Sequence, residues 1–121
     1  MFKSECKLEK YLLNLNKSEQ INLCKFRCRD TKLPLVVLGY SFQNIAYSDR
    51  LCILCNLNEV GDEYHYIMKC SFFQNSRERY INNDIWRNPD YYKFSSLFKS
   101  NDMGILRNLA RFVKIINLEM N

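Results

Sequence analysis

Cys52, Cys55, His65 and Cys70 fall in one short segment with the spacing Cys-x2-Cys-x9-His-x4-Cys. No other feature of this 121-residue chain restricts its folding as strongly. Two cysteines separated by two residues form a tight turn that aims both sulfurs at one point. A histidine and a cysteine supplied later in the chain then complete a tetrahedron. Three thiolates and an imidazole suit a borderline-soft d¹⁰ cation without redox chemistry, so the spacing predicts one Zn²⁺. Four protein ligands leave no open position for water, which makes the expected site structural and not catalytic. The competing readings are buried, inert cysteines around a core histidine and a disulfide framework. The latter suits secreted proteins.

The spacing also sets a geometric problem. Asp62 and Glu63 resemble the first turn of a helix, where acids favour the dipole. In a regular helix, residues five apart are rotated by about 140°, so His65 and Cys70 would diverge. They can share an ion only if the helix tightens or ends just before Cys70. Ile67 and Met68 are expected on the core. Arg50 and Lys69, within two residues of a ligand in sequence, are candidates to offset the formal −1 charge of a Zn²⁺ held by three thiolates and a neutral imidazole.

The remaining cysteines are poor ligands. Cys24 and Cys28 lie one helical turn apart beside Ile21, where small buried hydrophobes are the default, and Cys6 is left without a partner set. The chain holds one His in all, already used by the motif, so neither a catalytic zinc nor a Cys–His nucleophile is expected. The chain is therefore read as no enzyme, with no small-molecule substrate.

Elsewhere the pattern is mainly helical. Leu8, Leu12 and Leu15 with Tyr11 suit a short amphipathic helix, and Ser18-Glu19-Gln20 looks like the start of a second. Leu33 to Leu38 is apolar and β-branched, and Pro34 disfavours a helix there. This stretch predicts extended chain with a turn at Gly39, and a short strand pair near 33–54. Asn88-Pro89-Asp90 breaks the chain. Tyr91 to Phe98 reads as a short helix. Asn101 or Asp102 would cap a last one running to about Glu119, with Ile105, Leu109, Phe112 and Ile116 as its apolar face. The expected fold is thus a mainly α, small zinc-stabilised domain of short helices with a Cys-x2-Cys knuckle. It spans 1–121 as one domain: N-terminal helices with a basic face (1–32), the zinc motif and following helix (50–82), and C-terminal helices (88–121). No internal repeat is visible.

Lys and Arg total 18 against 13 acids, a formal charge of +5. Nine of these cations and only five acids lie in residues 1–50, so a polyanion would meet the N-terminal half first. Lys25, Arg29 and Lys32 fall at i, i+4 and i+7 and make a basic stripe; its default reading is a solvated helix face. The first residues contain no apolar run of signal-peptide length, and no stretch approaches a membrane span. A soluble, intracellular protein without a membrane partner is expected.

The segment Arg50-x-Cys52-x2-Cys55, then Glu59-x-x-Asp62-Glu63-x-His65, Cys70, and an aromatic-rich stretch with Arg77 and Tyr80, resembles a known family. It is similar to the C-terminal zinc-binding domain of reverse transcriptases from non-LTR (LINE-like) retrotransposons. Lys25-Phe26-Arg27, Thr31-Lys32-Leu33-Pro34 and Gly39-Tyr40 resemble the segment preceding that motif. The likeness covers roughly residues 20 to 82. It implies Cys52, Cys55, His65 and Cys70 as zinc ligands, and a module that helps bind element RNA or target DNA. The chain departs from the family in carrying neither the paired-aspartate polymerase signature nor an endonuclease constellation.

Two functional classes follow. One is a zinc-stabilised nucleic-acid-binding module, with Lys25, Arg27, Arg29, Lys32 and Arg50 as phosphate contacts and Tyr40, Phe42 and Tyr47 as stacking candidates. The other is a zinc-stabilised protein-interaction or structural module, docking through an apolar face such as 103–118 if that face is exposed.

Overall fold

A computed structural model describes residues 15–27, 33–34 and 45–120. The proposed helix over 5–15 lies outside these residues except for Leu15, as do Cys28, Arg29, Lys32, Tyr40 and Phe42. The described residues are mainly helical. Helix α1 spans Lys17–Arg27, α2 Gln74–Tyr80, α3 Asn83–Trp86, α4 Tyr91–Phe98 and α5 Met103–Met120. Between α1 and α2 lie a short 3₁₀ turn, Tyr47–Asp49, the ligand-bearing segment, and a second 3₁₀ turn, Ser71–Phe73.

Local chemistry accounts for the helix ends. Asn16 Oδ1 accepts from the Glu19 N–H at 2.8 Å while Glu19 Oε1 accepts from the Asn16 N–H at 3.1 Å. This reciprocal capping box places the start of α1 at Asn16 instead of Ser18. Asp90 caps α4 through the Lys93 N–H at 2.7 Å. Asp102 caps α5 through the Gly104 N–H at 2.8 Å.

Helix α5 is the spine. Its buried positions are Leu106, Leu109, Ala110, Phe112, Val113 and Ile116, one face of a 3.6-residue period. The face is rotated from the expected one: Leu106 is buried and Ile105 is exposed. The apolar stripe of residues 103–118 is thus core, not a docking face. Helix α1 lies along α5 and buries Leu23 and Phe26, while Ile21 is exposed and Cys24 only half-buried. Glu19 sits opposite Arg111, and Phe26 stacks on Phe98, just ahead of α5, so the two helices run antiparallel.

Residues 35–44 of the expected strand pair near 33–54 lie outside the described residues; the described ones hold an antiparallel bridge between Leu51 and Val60. Pro34 has helical backbone and is buried. Proline's fixed φ suits a first helical turn as well as an extended chain, which is why it did not discriminate. No helix of the described residues is long and apolar enough to cross a membrane.

Candidate metal centre

The Leu51–Val60 bridge closes the knuckle. The Cys52 N–H donates to the Glu59 carbonyl at 2.9 Å and the Gly61 N–H to the Arg50 carbonyl at 2.8 Å. Asn58 takes the left-handed conformation, φ 57°, that reverses the chain between them. Within the loop, the Leu54 N–H points at Cys52 Sγ, 3.3 Å away. Gly61 is required by space: a Cβ there would lie 2.8 Å from Pro34 Cγ and 2.9 Å from the Tyr66 hydroxyl.

Asp62 then starts the second ligand element, its Oδ1 accepting from the His65 N–H at 2.8 Å. The helix begun at Glu63 widens into a π turn over His65–Lys69, with the Cys70 N–H bonded to the His65 carbonyl at 2.8 Å. Cys70 itself leaves the helix at ψ 121°. The 140° problem is therefore solved by widening the turn and ending it, not by tightening it. An i→i+5 turn brings residues five apart back toward one face. Tyr66, Ile67 and Met68, between the ligands, are buried and join the ligand turn to the main core.

The ligand atoms of Cys52, Cys55, His65 and Cys70 all lie within 4.8 Å of one another. Cys52 Sγ and Cys70 Sγ are 3.8 Å apart, and Cys55 Sγ is 3.4 Å from His65 Nε2. Bond lengths of about 2.3 Å to sulfur and 2.0–2.1 Å to nitrogen put tetrahedral S–S and S–N separations at roughly 3.8 and 3.5 Å. These two separations match that geometry, and the four residues could hold one metal ion.

Their surroundings favour the ligating forms. His65 presents Nε2 to the cluster, and Nδ1 faces Glu59 Oε1 at 3.2 Å. Glu59 thereby fixes the tautomer and the ring orientation, the usual role of a carboxylate behind a ligating imidazole. Burial drives the His65 pKa down, more than the nearby Glu59 raises it. Burial opposes the Glu59 carboxylate, but Lys69 Nζ, 2.6 Å from Glu59 Oε2, outweighs it and holds the carboxyl below its ordinary range. Lys69 is raised in turn, chiefly by that hydrogen bond. Burial pushes the Cys70 thiol up to about 12. At Cys52, burial is outweighed by hydrogen bonds from Tyr66 and the Leu54 and Cys55 amides, so its pKa falls. The buried Tyr66 hydroxyl lies near this sulfur and completes no well-formed hydrogen bond among the described residues.

Arg77 in α2 was visible in the sequence only as part of a motif. Its side chain is fully buried. Nε donates to the Ile67 carbonyl at 2.7 Å, and Nη2 donates to the carbonyls of Tyr66 at 3.0 Å and Cys70 at 2.9 Å. Nη1 donates to Gln74 Oε1 at 2.8 Å, and the guanidinium lies 5.9 Å from the Phe112 ring centre. Burial lowers its pKa to about 10, so it stays charged at neutral pH.

Of the basic residues expected to meet phosphates, Lys25 is exposed on α1 and Arg27 ends that helix. Arg29 and Lys32 lie outside the described residues. Arg50 is half-buried: its Nε donates to the Ile45 carbonyl at 2.9 Å and its guanidinium lies over Tyr47. Lys69, not Arg50, pairs with the carboxylate behind His65. Arg107, Arg111 and Lys114 form an exposed line along α5.

No family model matches this chain, and neither the curated proteins nor the solved structures contain a significant match.

Proposed function

We propose that this chain is a non-catalytic zinc-binding module, with Cys52, Cys55, His65 and Cys70 holding one structural Zn²⁺. The observation that carries the reading is the placement of four ligand atoms within 4.8 Å of one another, with the Cys52–Cys70 and Cys55–His65 separations those of a tetrahedral site. Zinc fits the donor set best, since three sulfurs and one imidazole nitrogen favour it over hard cations. A closed shell leaves no position for a reacting water, which supports a structural role. Purified protein should contain one zinc per chain. Chelation, or Cys52→Ser, should remove it and unfold the segment that carries the ligands. A folded, metal-free protein would refute the reading.

For the partner, we infer nucleic acid, RNA or DNA, in an intracellular setting that keeps the thiols reduced. The support is the net charge of +5, its concentration in residues 1–50, and the likeness of residues 20–82 to the retrotransposon zinc-binding domain. Affinity for an oligonucleotide should then fall steeply as salt rises, through counterion release. No binding to RNA or DNA at about 50 mM salt, where phosphate contacts are little screened, would leave the protein-interaction module as the better reading. Ile53, Leu57 and Phe72, exposed on the ligand-bearing segment, would be the natural contacts for that alternative.

A further inference from the structure

We infer that Arg77 is the built-in counter-charge of the metal centre, a positioning residue that holds the His65–Cys70 turn in its ligating register. This rests on the metal-binding reading above. A guanidinium withdrawn from water normally needs an opposite charge as well as hydrogen bonds. The Arg77 side chain is fully buried, yet its four hydrogen bonds go to neutral oxygens, and no carboxylate is among its hydrogen-bond partners in the described residues.

Three of those oxygens are the carbonyls of Tyr66, Ile67 and Cys70, which belong to the turn running from one ligand to the other. A widened turn that ends abruptly leaves carbonyls without helical donors, and Arg77 supplies them from a single rigid fork. Zn²⁺ with three thiolates and a neutral imidazole carries a formal charge of −1. It is thus the missing opposite charge, and the Cys70 carbonyl is where the two meet. The ion relieves the burial of Arg77, and Arg77 relieves the burial of an anionic centre. A neutral donor could satisfy carbonyls; only a cation does both.

The test is a cobalt titration followed by chelator competition with zinc, on wild type, Arg77→Met and Arg77→Lys. Ile116→Val, a core substitution in α5 that leaves the hydrogen bonds of Arg77 untouched, controls for general loss of stability. Wild type should bind one Co²⁺ with the absorption of a tetrahedral, three-thiolate site. Arg77→Met should bind about 10- to 100-fold more weakly, the range typical of removing a residue that supports metal ligands. Its thiolate charge-transfer band should also shrink per bound ion as Cys70 leaves the shell. Arg77→Lys should recover part of the affinity, and Ile116→Val should keep the wild-type band. Equal affinities for the Met and Lys variants would overturn the inference, as would a wild-type spectrum in Arg77→Met.

A second measurement needs no variant, in case Arg77→Met does not fold. The Arg77 Nε–H of the wild type should exchange slowly in the zinc-loaded protein and rapidly after chelation. Slow exchange in both states would overturn the coupling. A wild type that binds neither metal refutes the metal reading itself, and this inference with it.

Discussion

The two ends of the molecule are held together by different physics. Helices α1 and α5, which pack along each other, bury Leu23, Phe26, Leu109, Phe112 and Ile116, apolar side chains whose burial requires no particular partner atom. From Arg50 to Arg77, the fold is a set of specific polar contacts: amides on carbonyls, a capping aspartate, a carboxylate on an imidazole and a buried guanidinium. The apolar end tolerates substitutions that conserve volume. The polar end has few contacts that can be exchanged, because each donor faces particular acceptors. An ion at the centre of the polar end would supply the cohesion that side-chain area supplies at the other.

Stripping the metal should break the comparison most visibly. Amide hydrogen exchange is expected to accelerate across residues 51–70 while α1 and α5 keep most of their protection. Uniform loss along the whole chain would mean that the two ends form one cooperative unit. Next in size is Phe112→Ala, which removes a ring from the apolar end and also the face beneath Arg77. It should cost about 3–5 kcal/mol in denaturant unfolding of the zinc-loaded protein.

Gly61→Ala should cost about 1–3 kcal/mol, the range for overpacking. The new methyl group meets Pro34 and the Tyr66 hydroxyl, so a value near zero would show that Pro34 can yield. Glu59→Gln keeps the shape but weakens the acceptor behind His65, and is expected to lower zinc affinity by about tenfold. The smallest effect belongs to Lys69→Met. Lys69 and Glu59 are each about one-third exposed, at 34% and 35%, and partly screened by water. The loss should stay below about 1 kcal/mol.

That last variant also has a pH signature. The folded-state pKa of Glu59 lies below its ordinary value, so its stabilising contribution is complete at neutral pH. It fades as pH falls through the depressed value. Lys69→Met should therefore narrow the gap between neutral and mildly acidic stability. An unchanged gap would assign the acid sensitivity to the metal ligands, where protons compete directly with the ion.

What could be read from the residues alone follows the same division. The clustering of Cys52, Cys55, His65 and Cys70 was legible because their spacing is local and the donor chemistry is restrictive. Helix α5 was legible because its apolar period repeats over several turns, although the face was misplaced by one residue, Ile105 for Leu106. In α1 the signal was weaker. Ile21, Cys24 and Cys28 looked like the inner stripe, but Leu23 and Phe26 are the buried pair, because the direction in which a short helix presses on its neighbour depends on that neighbour. The cap was in the sequence as Asn16-x-x-Glu19 and was passed over for Ser18.

The role of Arg77 was not legible. Three of its four partners lie seven to eleven residues upstream, and they are backbone carbonyls, which every residue carries. Glu59 stands out in the sequence only as one acid of the motif, since nothing local tells which acid faces a ring nitrogen. The π turn did leave a trace: a His-x4-Cys pair that must share an ion is itself an argument for an i→i+5 turn.

That turn bears on how a chain of this kind can change in length. A π turn accommodates one residue more than the α turn it replaces. Deleting a single residue between His65 and Cys70 would rewind the segment to i→i+4, where side chains again stand one above the other. Sequences with three or four residues between this histidine and cysteine are then two windings of one device. They differ by one codon, and each presents the same pair of donor atoms to the same point in space.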